Sequence, residues 1–383
     1  MIKYTHIYFL ISCMNKCRLP IDCVLAITYN CNARCIMCDI WKIKDFPELA
    51  VSEFAKLPAT LRDINISGGE PFLRQDLPEI VAVVAKACPK ARIVISSNGF
   101  LTELVLKQMK KIIAIKPDIG IAISIDGMGQ MHDEMRGIPG GFDRDMETVK
   151  RLRTELGMTN IRLGFTITEK NISHLKQVYD LTREMDIQFT HSFAQTSEFY
   201  FGGKKNTDFQ QIADEMTIGE GMALGTEDQE KVSPPLRALL REQYQHLIKS
   251  ELKSWNLKRW VRAYFAFGMY TFITSHNPVV SNAPGRDFFF VDPNGIIYPS
   301  VIHNFIMGDI KKISNFQLPI SNTTFKSFDQ FWCSKETEEV RNKVDNSKIP
   351  VWMICTARTA IKKHPVKVFL WILKNKFFGF KLN

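Results

Sequence analysis

The chain has 383 residues, of which 45% are hydrophobic and 23% charged, a balance that fits one large domain plus a smaller one and excludes wholesale disorder. The formal net charge of +10 favours anionic partners, but no basic run with interleaved aromatics and no nucleic-acid module is present, so nucleic acid is not expected as a partner. Nine cysteines, six of them within the first 38 residues, argue against a disulfide framework and for metal in a reducing, cytoplasmic compartment.

Residues 1–20 form an N-terminal arm. Its apolar stretch Ile7–Cys13 is too short to span a bilayer, lacks a small-residue cleavage site, and reads as a buried strand or packing arm. From residue 21 to 204, short Ile- and Val-rich runs alternate with longer amphipathic stretches. The runs are Val24–Thr28, Ile64–Ser67, Ile93–Ser97, Ile119–Ile125, Ile161–Ile167 and Ile187–Phe193; helices are expected at Leu77–Cys88, Leu101–Ile115, Asp143–Leu156 and Ser173–Met185. Six strand–helix units in series predict an α/β fold, a partial (β/α)6 barrel of parallel strands, short of the complete eight-fold barrel. Residues 205–275 read as a helical segment with a break at Pro234–Pro235. Two apolar runs around Asp292-Pro-Asn-Gly295 predict a hairpin, and with it a small C-terminal subdomain over 276–360. A basic amphipathic tail, 361–383, closes the chain.

The chemistry concentrates in Cys31-Asn-Ala-Arg-Cys35-Ile-Met-Cys38, a CxxxCxxC loop directly after the first strand. Open α/β folds place ligand sites at that edge. Three thiolates hold three irons of a cubane cluster and leave the fourth open to a ligand. A structural zinc site is the alternative, although zinc usually takes four closed ligands and no fourth Cys or His falls at a natural spacing. A second motif, Ser67-Gly68-Gly69-Glu70-Pro71, ends the second strand; its glycines allow close backbone approach and its carboxylate complements an ammonium.

Taken together, these two loops resemble the signature of the radical SAM superfamily. The resemblance implies a [4Fe-4S] cluster on Cys31, Cys35 and Cys38, and S-adenosylmethionine (SAM) received by Gly68, Gly69, Glu70 and Pro71. It continues in order along the strand ends. Ser97-Asn98-Gly99 resembles a segment near the SAM ribose, Ser124-Ile-Asp126-Gly127 one that offers polar groups to the ribose or carboxylate, and Thr166-Ile-Thr168 with Asn171 a fifth-strand pattern. Each alone is an ordinary turn sequence. Residues 23–200 carry the likeness.

Gly285–Ser300 and Trp352–Arg358 resemble the C-terminal SPASM or twitch extension found in some members. That extension carries cysteines for auxiliary clusters. Here the corresponding positions read Ser281 or Asn282, Ser300 and Val351, with Cys355 in place and Cys333 at a distance, so a hairpin scaffold without a complete auxiliary cluster is expected. Cys13 and Cys17 have no spacing that specifies a partner, and Cys23 and Cys88 read as small buried hydrophobes.

The resemblance implies an enzyme that cleaves SAM reductively to a 5′-deoxyadenosyl radical, which takes hydrogen from a substrate. Peptide or protein maturation and small-molecule oxidation or rearrangement both fit, and a flavodoxin- or ferredoxin-type electron donor is implied. The alternative is a non-catalytic Fe–S or metal-binding protein on a decayed scaffold. No catalytic acid or base is legible. Arg136, in a segment with His132-Asp133 that resembles a family HDxxRG, and His191 are weak candidates, with Gln195 and Tyr29 near strand ends. The tail, residues 365–383 with Lys367, Lys374, Lys376 and Lys381, reads either as a helix lying in a membrane surface or as one docked on the core with snorkelling lysines. The first reading predicts peripheral contact at the inner membrane face and a membrane-proximal substrate.

Overall fold

The computed structural model describes residues 17–206, 234–275, 277–314 and 325–382. The Ile7–Cys13 stretch and the segment before Pro234 lie outside the described residues.

The alternating apolar runs form strands β1 (Asp22–Ala26), β2 (Asp63–Ser67), β3 (Arg92–Ser97), β4 (Gly120–Ser124), β5 (Ile161–Ile167) and β6 (Gln188–Phe193). Each pairs in parallel with its sequence neighbour. The connections carry helices α1 (Leu77–Ala87), α2 (Thr102–Ile115), α3 (Gln130–Arg136), α4 (Gly141–Thr154) and α5 (Leu175–Glu184). Alternate strand residues such as Ile64, Ile66, Ile121, Ile123, Leu163 and Phe165 are sealed in one core with helix residues Ile80, Met109, Val149 and Val178. The register Ile121↔Ile161 keeps these side chains on the helix-covered face. The opposite face carries charged groups at the strands' N-terminal ends (Asp22, Asp63, Arg162) and small polar groups at their C-terminal ends (Ser67, Ser124, Thr166).

The chain then forms an antiparallel helix pair, α6 (Pro234–Lys253) and α7 (Leu257–Ser275). The expected hairpin is present as β7 (Phe288–Val291) and β8 (Ile296–Tyr298), followed by β9 (Gly308–Asp309). Asp292 fixes the turn: its Oδ1 accepts from the backbone N–H of Asn294 (3.0 Å) and of Ile296 (2.8 Å). The hairpin is continuous with the large sheet, because β7 pairs in parallel with β1, giving the nine-strand order β6-β5-β4-β3-β2-β1-β7-β8-β9. Four helices finish the fold: α8 (Phe328–Trp332), α9 (Lys335–Ser347), α10 (Ile354–Lys363) and α11 (Pro365–Phe377). Helix α10 is pinned to the N-terminal ends of β1 and β2, where Arg358 meets Asp22 (2.7 Å) and Asp63 (3.1 Å).

One expectation is corrected. Cys17 and Cys333 form a disulfide, with Cα atoms 5.6 Å apart, across a sequence separation of 316 residues. The spacing argument weighed only local patterns, whereas folding brings the arm beside the end of α8, where the Trp332 indole N–H donates to the Arg18 carbonyl (3.0 Å). Cys23 and Cys88 are fully buried, as expected.

Candidate functional site

The cysteine loop leaves the C-terminal end of β1 and is held on three sides. Arg34 N–H and Ile36 N–H donate to the carbonyls of Arg136 and Met135, both at 3.0 Å, docking the loop on the end of α3. Gly137, just beyond that helix, lies so close that a Cβ there would meet the Arg34 carbonyl at 2.6 Å. The Asn206 amide donates to the Met37 carbonyl (3.1 Å) and ties in the far side. The GGEP segment supplies the third contact: Gly69 N–H donates to Thr28 O (2.8 Å) and Glu70 N–H to Asn30 O (2.7 Å). A Cβ on Gly69 would lie 2.1 Å from the Asn30 carbonyl, and one on Gly68 (φ +129°) 2.4 Å from that of Thr28. The glycine pair therefore lets the second loop nest against the backbone that leads into Cys31.

Cys31, Cys35 and Cys38 are each half-buried. Burial pushes the thiols up, Cys31 to about 11 and Cys38 to about 12, with Cys35 also raised. Donors reach every sulfur. The backbone N–H of Ala33 serves Cys31 and that of Ile40 serves Cys38. The Arg136 guanidinium stands 3.6 Å from Cys35 Sγ, and the Asn98 amide 3.9 Å from Cys31 Sγ. Among the described residues no three His, Cys, Asp or Glu side chains converge as one metal ion would require. Three thiols on one loop, each met by a hydrogen-bond donor, suit three corners of a cubane cluster, whereas a closed zinc site takes four ligands.

The remaining expected positions form one network around this loop. The buried Glu70 carboxylate accepts from Ser97 Oγ (3.0 Å), Phe72 N–H (3.2 Å) and Asn98 N–H (2.7 Å), so it joins the loops after β2 and β3; burial pushes it up to about 7. Pro71 is buried beside it. The Asn98 amide donates to Asn32 Oδ1 (2.7 Å). Asp126 accepts from Thr166 N–H (2.6 Å) and pairs with Arg136 (2.6 Å), a contact that raises the Arg136 pKa against its burial. Asn171 clamps the ends of β4 and β5 by donating to the carbonyls of Asp126 (3.0 Å) and Thr166 (2.9 Å). Ser124 and Thr166 end these neighbouring strands half-exposed.

Arg136 thus lies against the Cys35 thiol and is itself held by its buried ion pair with Asp126. His191 is elsewhere: it sits on the helix-covered face of β6, stacked on Phe189 and packed against Phe265. Tyr29 donates to Asp292 (3.3 Å), and Gln195 is buried with its carbonyl taken by Asn206. A group unforeseen from the sequence is the pair His132–Asp145, fully buried at 3.1 Å. Burial pushes His132 down to about 3 and Asp145 well above its ordinary range, disfavouring the charged form of each; His132 Nδ1 accepts from Asp126 N–H (3.1 Å). Nothing local marks Asp145, which is one acid among several on α4.

Of the positions compared with auxiliary-cluster ligands, Ser300 bonds His303 (2.8 Å) and the Asn282 amide donates to the Val351 carbonyl. Val351 and Cys355 are buried in an apolar cluster with Val301 and Met353.

Residues 25–181 match the model of the radical SAM superfamily. Its members use a [4Fe-4S] cluster and SAM, and the cysteine loop fits such a cluster. The chain is similar to the sporulation killing factor maturation protein SkfB of Bacillus subtilis, 32% identical over 168 residues, 42% of this chain and 39% of that protein. It is also similar to pre-heme d1 synthase of Dinoroseobacter shibae, 25% identical over 303 residues, 75% of this chain and 70% of that protein. The crystal structure of Streptococcus suis SuiB bound to precursor peptide SuiA superposes with a TM-score of 0.52 at 15% identity, covering 88% of this chain and 70% of that one, a likeness of fold. The matches to SkfB and to Fe-coproporphyrin III synthase of Methanosarcina barkeri span about two fifths of those proteins.

Proposed function

We propose that this chain is a radical SAM enzyme acting on an organic substrate. The observation that carries the reading is the set of three thiols, each met by a hydrogen-bond donor, on a loop braced by Arg136 and the GGEP segment. When bound, the cluster and SAM supply one-electron cleavage of a C–S bond to a 5′-deoxyadenosyl radical. The chain's own residues do the rest. Cys31, Cys35 and Cys38 hold three irons. Glu70, locked to Ser97 and Asn98, fixes the loops that receive SAM, with Ser124, Asp126 and Thr166 bordering them on the next strand ends. A flavodoxin- or ferredoxin-type donor suits the net charge of +10.

The likeness to SkfB supports a peptide substrate. The match to pre-heme d1 synthase runs over more of the chain and supports a small-molecule rearrangement. Anaerobic incubation with SAM and dithionite is expected to yield 5′-deoxyadenosine, and Cys35→Ala to abolish it. No 5′-deoxyadenosine from cluster-loaded protein would leave the non-catalytic iron–sulfur reading.

The tail supports peripheral membrane contact. Helix α11 buries Val368 and Ile372 but exposes Val366 (70%), Leu370 (59%) and Phe377 (59%), followed by Phe378 (86%), along its other side. No acidic residue follows Asp345, while eight Lys and Arg do. An apolar ridge in a wholly cationic segment suits anionic lipid. None of the helices among the described residues is long and apolar enough to cross a membrane. Co-flotation with phosphatidylglycerol vesicles, lost in Leu370→Asp with Phe378→Asp, is the expected result; equal flotation of the double variant contradicts it.

A further inference from the structure

At the opposite end of the strands from the cysteine loop, a cavity of about 200 Å³ opens between the N-terminal halves of β5 and β6 and helices α7 and α10. Arg162 precedes Thr166 by four residues on β5, so the cavity lies about 13 Å along the strand from the SAM-side network. Four cations line it: Arg162, Arg262, Arg358 and Lys362. Arg358 and Lys362 are answered by Asp22 and Asp63. The lining carboxylate, Glu251, is answered by Arg259 (3.0 Å) and by the Tyr179 hydroxyl (2.8 Å).

Arg162 and Arg262 form no ion pair among the described residues, although Asp63 attracts the first and Glu251 the second from a distance. Arg162 Nη2 donates to the Asn160 amide oxygen (3.3 Å), and Arg262 Nη2 to that of Gln188 (3.0 Å). Arg162 Nε is buried with no hydrogen-bond partner among the described residues. So is Nε2 of His191, a side chain 5% exposed that also lines the cavity. Burial, with Arg358 and Arg262 adding repulsion, pulls Arg162 down to about 10, and burial holds His191 neutral at about 3. Phe189, Leu247 and Phe265 make an apolar wall opposite. The unpaired Arg162 Nε–H beside Arg262, in a partly open and largely apolar cavity, matches a ligand with an anionic head and an apolar body.

We propose that this cavity is a second binding site, which takes a small amphipathic acid, its carboxylate or phosphate on Arg162 and Arg262 and its apolar body against Phe189 and Phe265. The two head groups share the same recognition chemistry. The ligand joins β6 to α7 and α10 without touching the cluster loop.

Calorimetric titration of the anaerobically purified holoprotein with octanoate, octyl phosphate and octanol tests this. At least one of the two acids is expected to bind, with octanol about tenfold or more weaker. Whichever acid binds more tightly identifies the head group. Arg162→Gln and, separately, Arg262→Gln are each expected to weaken that acid about tenfold. Neither variant breaks an ion pair seen among the described residues, so their melting temperature in the absence of ligand is expected to be unchanged or higher. Binding of neither acid, equal binding of octanol, or unchanged binding in both folded variants overturns the proposal.

Discussion

At the residue scale, the site is a set of close approaches that admit few alternatives. Gly69 sits where a Cβ would press on the Asn30 carbonyl at 2.1 Å, a backbone atom that cannot swing aside. Gly69→Ala is expected to cost about 1–3 kcal/mol in chemical denaturation and to lower iron incorporation; unchanged stability would contradict the nesting described. Asp126 and Arg136 form a buried pair at 2.6 Å. Arg136→Met strands the Asp126 carboxylate and is expected to destabilise by roughly 3–5 kcal/mol, while adding Asp126→Asn recovers part of that loss. Additive effects in this double-variant cycle would mean the two are not coupled. The cysteines, GGEP and Asn98 were legible because their signal is local spacing. The Arg136–Cys35 contact, 101 residues apart, and the His132–Asp145 pair were not, since they exist only once α3 and α4 dock. His191 looked like a pocket residue from its place near a strand end. A strand's two faces alternate, and the register Phe165↔His191 turns it toward the helices.

At the element scale, the runs of Ile and Val marked the strands because their alternate residues fill the helix-covered core. The β5 run, Ile161–Ile167, coincides with the observed strand. The junction of β1 with β7 was not legible, since a pairing between residues 22 and 288 leaves no local pattern. Nor was the docking of α10 on β1. There Asp22 is pushed up to about 7 by burial, against the attraction of Arg358, and its Oδ1 has no hydrogen-bond partner among the described residues. A carboxyl raised above its ordinary 3.8 favours the fold in its protonated form. Its contribution is full below about pH 4 and is lost as pH rises through about 7. The stability of the wild type relative to Asp22→Asn is therefore expected to fall between pH 5 and pH 8 in urea titrations. A relative stability that rises with pH would contradict this assignment.

At the scale of the whole molecule, one disulfide and two C-terminal helices tie distant parts of the described chain together. The Cys17–Cys333 bond fixes Cys17 to the end of α8, while α10 packs along β1 and β6 and α11 packs on α6 and α7. Oxidised protein digested without reductant is expected to give a cross-linked peptide containing Cys17 and Cys333, with Cys31, Cys35 and Cys38 free to load iron. Cross-links from Cys17 to the cysteine loop instead would contradict the pairing. The account as a whole rests on a three-thiolate cluster that keeps one iron open to SAM. The most direct test is electron paramagnetic resonance of anaerobically reconstituted, dithionite-reduced protein with and without SAM, alongside iron analysis. The account predicts about four irons per chain, a reduced-cluster signal that changes when SAM is added, and loss of both in Cys35→Ala. A full complement of iron retained in that variant, or a cluster signal indifferent to SAM, would contradict it.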